Sequence, residues 1–124
     1  MFKETQKKKG FARIFAACLY SIYGLQAAFR QEAAFRQEVF LFLIFLPILY
    51  YLPTSDVFKA VLLLANTLIL IVELLNSAIE SIVDLVSPEY HTLAKQAKDM
   101  GSAAVLASVF LAMILWGYAI FSSF

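Results

Sequence analysis

Residues 103–121 contain no lysine, arginine, aspartate or glutamate. As an α-helix this run is about 28 Å long at 1.5 Å per residue, close to the thickness of a bilayer's hydrocarbon core. Backbone amides find no water there, so a lone segment crosses only as a helix. Two apolar segments precede it. Residues 39–52 carry no charge, end before Pro53 and contain Pro47, which reads as a tolerated kink. At about fourteen residues this segment is short for a span. Its helix must therefore begin in the second copy of AAFRQE, a block written twice in tandem over residues 27–38. Residues 57–86 are longer than a crossing needs. They are charge-free from 60 to 72, and then come Glu73, Glu80 and Asp84.

Composition agrees with these segments. The chain is 62% hydrophobic, with a mean hydropathy of +0.79, whereas soluble domains are about 45–50% apolar. A formal net charge of +1 gives no sign of a nucleic-acid partner. The one cysteine, Cys18, forms no intrachain disulfide and reads as a small packed side chain. The N-terminal region is basic, with Lys3, Lys7, Lys8, Lys9 and Arg13 opposed only by Glu4. No long apolar stretch with a cleavage site follows, so it does not read as a secretory signal. The following residues, moderately apolar and rich in small side chains, read as a helix lying in the interface.

The expected fold is an all-α membrane protein: one integral domain, residues 1–124, with an amphipathic surface helix and three transmembrane helices. The surface helix occupies residues 1–31 and the spans about 34–52, 56–86 and 99–121, with a cytoplasmic loop at 87–98. Lysine and arginine collect in the N-terminal region and around Lys95 and Lys98, which places both in the cytoplasm and the C-terminus outside. The expected location is the bacterial cytoplasmic (inner) membrane, with the C-terminus periplasmic. Tyr50, Tyr51, Trp116 and Tyr118 read as interfacial belt aromatics, and Tyr51 is also a candidate lipid contact.

An ionisable side chain at the centre of a span costs roughly 2.5–3.5 kcal/mol on insertion scales, so three acids in one span need a reason. At 100° per residue, with Glu73 as zero, Asn76 falls at about −60°, Glu80 at about −20° and Asp84 at about +20°. They form a polar stripe that must face a bundle or cavity. Such a stripe suits a hard cation such as Mg²⁺, a proton relay in a transporter, or ion pairs with a neighbouring helix. Lys95, Lys98 and Asp99 stand at its mouth, and a nucleoside triphosphate needs such cations beside a metal. There is no glycine-rich phosphate loop, so any phosphate site must be built from helix side chains.

The motifs EAAFRQE (residues 32–38), VELLNSAIESIVD (72–84), EYH (89–91) and AKDMGSAAV (97–105) stand in order along the chain. With GF-RI near Gly10 and YS--GL near Tyr20, the sequence resembles the prokaryotic diacylglycerol kinases, in wording closer to the diacylglycerol branch than to the undecaprenol kinases. The resemblance implies a homotrimer that phosphorylates a lipid hydroxyl at the cytoplasmic face, with ATP as co-substrate, Mg²⁺ as cofactor and sites shared between chains. It implies Glu73 as the catalytic base, with Asn76 beside it, and Glu32 and Glu80 as metal ligands. Arg13, Tyr20, Glu32, Glu80, Glu89, Tyr90, His91, Lys98 and Asp99 match ATP-contacting positions. Arg13, Ala34, Phe35, Arg36, Gln37, Glu38, Tyr51, Lys59, Glu73 and Ser102 match positions near the lipid.

By the same resemblance, the functional half of the tandem block is the second copy plus Glu32. Arg30 and Gln31 of the first copy read as a helix face with a snorkelling arginine. Ala16, Gln26 and Gln96 stand where the family leads one to expect basic residues, which puts some ATP contacts in doubt. Asp84 is left as either a partner for another charged group or a plain helix-end charge. The undecaprenol acceptor and, from another class, a small proton-coupled transporter or channel subunit remain the alternatives.

Overall fold

The computed structural model describes residues 9–124; Lys3, Glu4, Lys7 and Lys8 of the basic N-terminal region lie outside the described residues. Four α-helices follow in order: α1 Phe11–Gln31, α2 Ala33–Tyr51, α3 Asp56–Val86 and α4 Thr92–Ser123. No strand occurs among the described residues. All four helices are long and apolar enough to cross a membrane. The chain is thus an all-helical, multi-pass type of membrane protein.

Each helix begins or ends for a local reason. Gly10 precedes α1 at φ 60°, a left-handed conformation that glycine adopts without strain. Ser55 caps α3, its Oγ accepting from Phe58 N at 3.1 Å. His91 caps α4, its Nδ1 accepting from Leu93 N at 3.1 Å. This cap corrects one boundary. Residues 92–98, expected as loop, are the opening turns of α4, and the connection shrinks to residues 87–91. The charges of Lys95, Lys98 and Asp99 suggested a loop, but they only mark a helix longer than the apolar layer. α3 has 31 residues and α4 has 32, about 46–48 Å each, against roughly 30 Å of hydrocarbon.

The tandem block is broken in two. Glu32, at φ −114° and ψ 108°, interrupts the helix between the copies, so the first copy closes α1 and the second opens α2. Arg36 of the second copy reaches back and donates from Nη1 to the carbonyls of Phe29 (2.8 Å) and Arg30 (3.0 Å). These are carbonyls that the end of α1 leaves without helical partners. Lys59 does the same service one helix later, donating from Nζ to Tyr50 O at 2.7 Å.

α3 and α4 form the main seam, with α2 packed on α3 and α1 touching both α2 and α3. One end of the bundle is apolar, with Leu62, Ala65, Ala112, Trp116 and Ala119 buried together with Leu49 and Leu52. Small residues on the seam, among them Ala65, Gly101, Ser108, Ala112 and Ala119, let the two backbones approach. Trp116 corrects a second expectation. It is not a belt residue but is buried; its Nε1 donates to Asn66 Oδ1 at 2.9 Å and its ring lies 5.0 Å from Phe45. Tyr50, Tyr51 and Tyr118 remain exposed.

Candidate active site

The opposite end of the bundle is polar where it is buried. Glu73, Asn76 and Ser77 of α3 are 6%, 7% and 8% exposed. Three polar side chains on one face of an otherwise apolar helix must turn inward, because a lipid-facing carboxylate lacks solvation. Asn76 Nδ2 donates to Glu80 Oε1 at 2.9 Å, one turn along the same face. Asn76 Oδ1 is buried and accepts no hydrogen bond from the described residues.

The helix break adds a second carboxylate source. Because α1 ends at Gln31, Glu32 projects from a corner rather than from a continuous helix. Glu32 and Gln31 line a cavity of about 510 Å³ between α1 and α3, with Gly24, Ser77 and Ser81 on its walls. Glu38, half-buried on α2, is a further carboxylate on the helix that opens at this corner.

Above them, two ion pairs order the mouth. Lys98 Nζ lies 2.5 Å from Asp84 Oδ1, tying α4 to α3. Lys95 Nζ lies 2.7 Å from Asp99 Oδ2 within α4. Asp84 is thus a partner for Lys98 rather than a bare helix-end charge. Both pairs are largely exposed, and pairs of that kind contribute about 0–1 kcal/mol.

The other expected site residues divide by position. Glu89, Tyr90 and His91 form the exposed turn between α3 and α4, close in sequence to Asp84 and Lys98. Ser102 is exposed on α4 next to buried Gly101. Arg13 and Tyr20 lie on the exposed surface of α1. Ala34, Arg36 and Gln37 are exposed, Phe35 is 3% exposed and Glu38 is half-buried. Phe35 packs as core, and the guanidinium of Arg36 is committed to the end of α1. Tyr51 and Lys59 are not brought to this region. Lys59 precedes Glu73 by about 21 Å of helix, and its ammonium is committed to Tyr50 O. Gly101 and Ser77 were missed as site residues; a glycine in mid-helix is a recognisable signal of close packing, whereas Ser77 carried none.

The donor set suits a hard cation. No three-membered cluster of His, Cys, Asp or Glu occurs among the described residues, but Mg²⁺ takes one or two carboxylates and completes its shell with phosphates and water. Glu80, steadied by Asn76, and Glu32 at the helix corner are the carboxylates that would supply such donors.

A buried glutamate on an apolar helix, with partly buried Glu80 two turns along it and exposed, ion-paired lysines beyond, is the arrangement the structure shows. Residues 19–120 match the family described as "Prokaryotic diacylglycerol kinase". The chain is 46% identical over 115 residues to the diacylglycerol kinase of Escherichia coli K12, covering 93% of this chain and 94% of the relative. It is 49% identical over 107 residues to that of Pseudomonas aeruginosa PAO1, covering 86% and 87%. Against that of Helicobacter pylori 26695 it is 43% identical over 116 residues, covering 94% and 91%. The chain belongs to the prokaryotic diacylglycerol kinase family.

Proposed function

We propose that the protein transfers the γ-phosphoryl group of ATP to the free primary hydroxyl of diacylglycerol, giving phosphatidic acid and ADP. Family membership supports the reaction. The observation that carries its assignment to particular residues is the buried Glu73 with Asn76 and Glu80 hydrogen-bonded on the same face.

In this reading the lipid hydroxyl arrives from the bilayer and ATP from the cytoplasmic side. Glu73 accepts the hydroxyl proton as the lipid oxygen bonds to the γ-phosphorus; the bond from that phosphorus to the β,γ-bridging oxygen breaks in line, and ADP leaves. Buried at 6% exposure, the Glu73 carboxylate is shielded from bulk water, which keeps the proton transfer within the site. Glu80 and Glu32 would hold Mg²⁺, with Asn76 fixing the Glu80 carboxylate. When bound, the ion neutralises phosphate charge. Lys98 leaves Asp84 to contact phosphate oxygens, and Glu89, Tyr90 and His91 border the nucleotide. Positioning and charge neutralisation supply most of what phosphoryl transfer requires.

The same reading places α1 along the cytoplasmic interface. Its exposed Phe11, Ile14 and Phe15 support membrane contact, and only Ala16 and Ala28 are buried in it. The N-terminus is then cytoplasmic and the C-terminus periplasmic in a bacterial inner membrane, as the basic residues favour. The assembly is a homotrimer with sites shared between chains.

The test uses purified protein in mixed micelles with dioleoylglycerol and undecaprenol side by side, with Mg²⁺ or with chelator. Magnesium-dependent transfer to dioleoylglycerol is expected. Transfer to undecaprenol alone overturns the acceptor, and transfer to neither overturns the kinase. For the shared site, inactive Glu32→Ala and Glu73→Ala chains are mixed; activity is expected to return, and no return at any ratio counts against sharing.

A further inference from the structure

Gly101 lies inside α4, where glycine is unfavourable relative to alanine. Its neighbour across the seam supplies the reason. A Cβ built on Gly101 would overlap Asn76 Oδ1, with Asn76 Cγ at 3.2 Å and Cβ at 3.9 Å. The Gly101 hydrogen that takes this direction therefore points at Oδ1. Such Cα–H contacts with oxygen recur where helix backbones meet closely. Gly24 and Gly117, by contrast, have open space where a Cβ would stand.

Asn76 thus has its two ends engaged differently. Oδ1 is buried against Gly101 and accepts no hydrogen bond from the described residues. Nδ2 donates to Glu80. A carboxamide is planar, so seating the oxygen decides where the amide points. We propose that Gly101 is a positioning residue of the phosphoryl-transfer site: its bare Cα seats the Asn76 oxygen on α4, and that seating aims the Asn76 amide at Glu80. A methyl group at 101 forces the carboxamide to turn or α4 to withdraw, and either change loosens Glu80. The consequence for magnesium rests on the reading of Glu80 as a metal-holding carboxylate; the seating of Asn76 does not.

The experiment compares full-length wild type, Gly101→Ala, Gly117→Ala, Asn76→Ala and Asn76→Ala/Gly101→Ala in mixed micelles. Two quantities are read: the Mg²⁺ concentration for half-maximal transfer, and the Asn76 side-chain amide cross-peaks in ¹⁵N-labelled protein without metal. Gly101→Ala is expected to raise the Mg²⁺ requirement about tenfold, the scale of one lost hydrogen bond to a charged group. It is also expected to move the Asn76 amide peaks, while Gly117→Ala does neither. In the Asn76→Ala background, Gly101→Ala should add no further loss.

Unchanged amide peaks in a folded Gly101→Ala protein overturn the proposal, as does a loss that adds in full to that of Asn76→Ala. If Gly101→Ala does not fold, Asn76→Ala/Gly101→Ala must fold, because the carboxamide is what meets the methyl; failure of both overturns it. If wild type transfers no phosphate, the kinase reading fails instead, and the amide peaks alone decide the role of Gly101.

Discussion

Arg36 donates from Nη1 to the carbonyl of Phe29 at 2.8 Å, across the helix break at Glu32. The second copy of AAFRQE therefore caps the first, and the corner that results aims Glu32 toward α3. Arg36→Ala should destabilise the fold by about 1–2 kcal/mol through the lost charged hydrogen bonds. Activity should fall more than stability does, by about a hundredfold, since small displacements of a ligating group are costly. Thermal melts and turnover measured on the same preparations check this. A variant with unaltered turnover detaches Arg36 from the site.

Trp116 and Asn66 form a buried polar pair within the apolar end of the bundle. Trp116→Phe alone should cost about 1–2 kcal/mol, leaving Asn66 Oδ1 without its donor. Asn66→Leu should cost a similar amount. The double variant should lose less than the sum, because both partners of the hydrogen bond have gone. Equilibrium denaturation in detergent measures the cycle; strict additivity argues against the pair as a unit.

Lys98 and Asp84 form a largely exposed pair, so Asp84→Asn should leave stability close to wild type. The two substitutions should separate in kinetics. Lys98→Ala should raise the KM for ATP about tenfold through loss of a charged phosphate contact, while Asp84→Asn leaves it near the wild-type value. Equal losses in both variants indicate that the pair itself, and not the free lysine, is required.

The long helices and the acidic stripe were legible in the sequence because both are local. A charge-free run states its own length, and a 100° periodicity puts Glu73, Asn76 and Glu80 on one face whatever surrounds them. What was not legible depends on partners distant in sequence or on tertiary caps. The division of AAFRQEAAFRQE between two helices was expected, but not that Arg36 caps α1 or that Phe35 enters the core. Trp116 looks like a belt residue until Asn66 is found opposite it. The charges at Lys95, Lys98 and Asp99 suggested loop, because a helical extension beyond the apolar layer and a loop share that composition. Arg36 and Lys59 looked available to lipid, whereas both hold the end of a preceding helix.

The most direct test of the central claim is phosphate transfer to dioleoylglycerol by Glu73→Gln, which keeps the side chain's shape and removes its basicity. The variant should fold, melt near wild type and lose about 10²–10⁴-fold in turnover, the usual worth of a general base. The KM for ATP should change little. A folded Glu73→Gln protein that transfers phosphate at the wild-type rate would contradict the account.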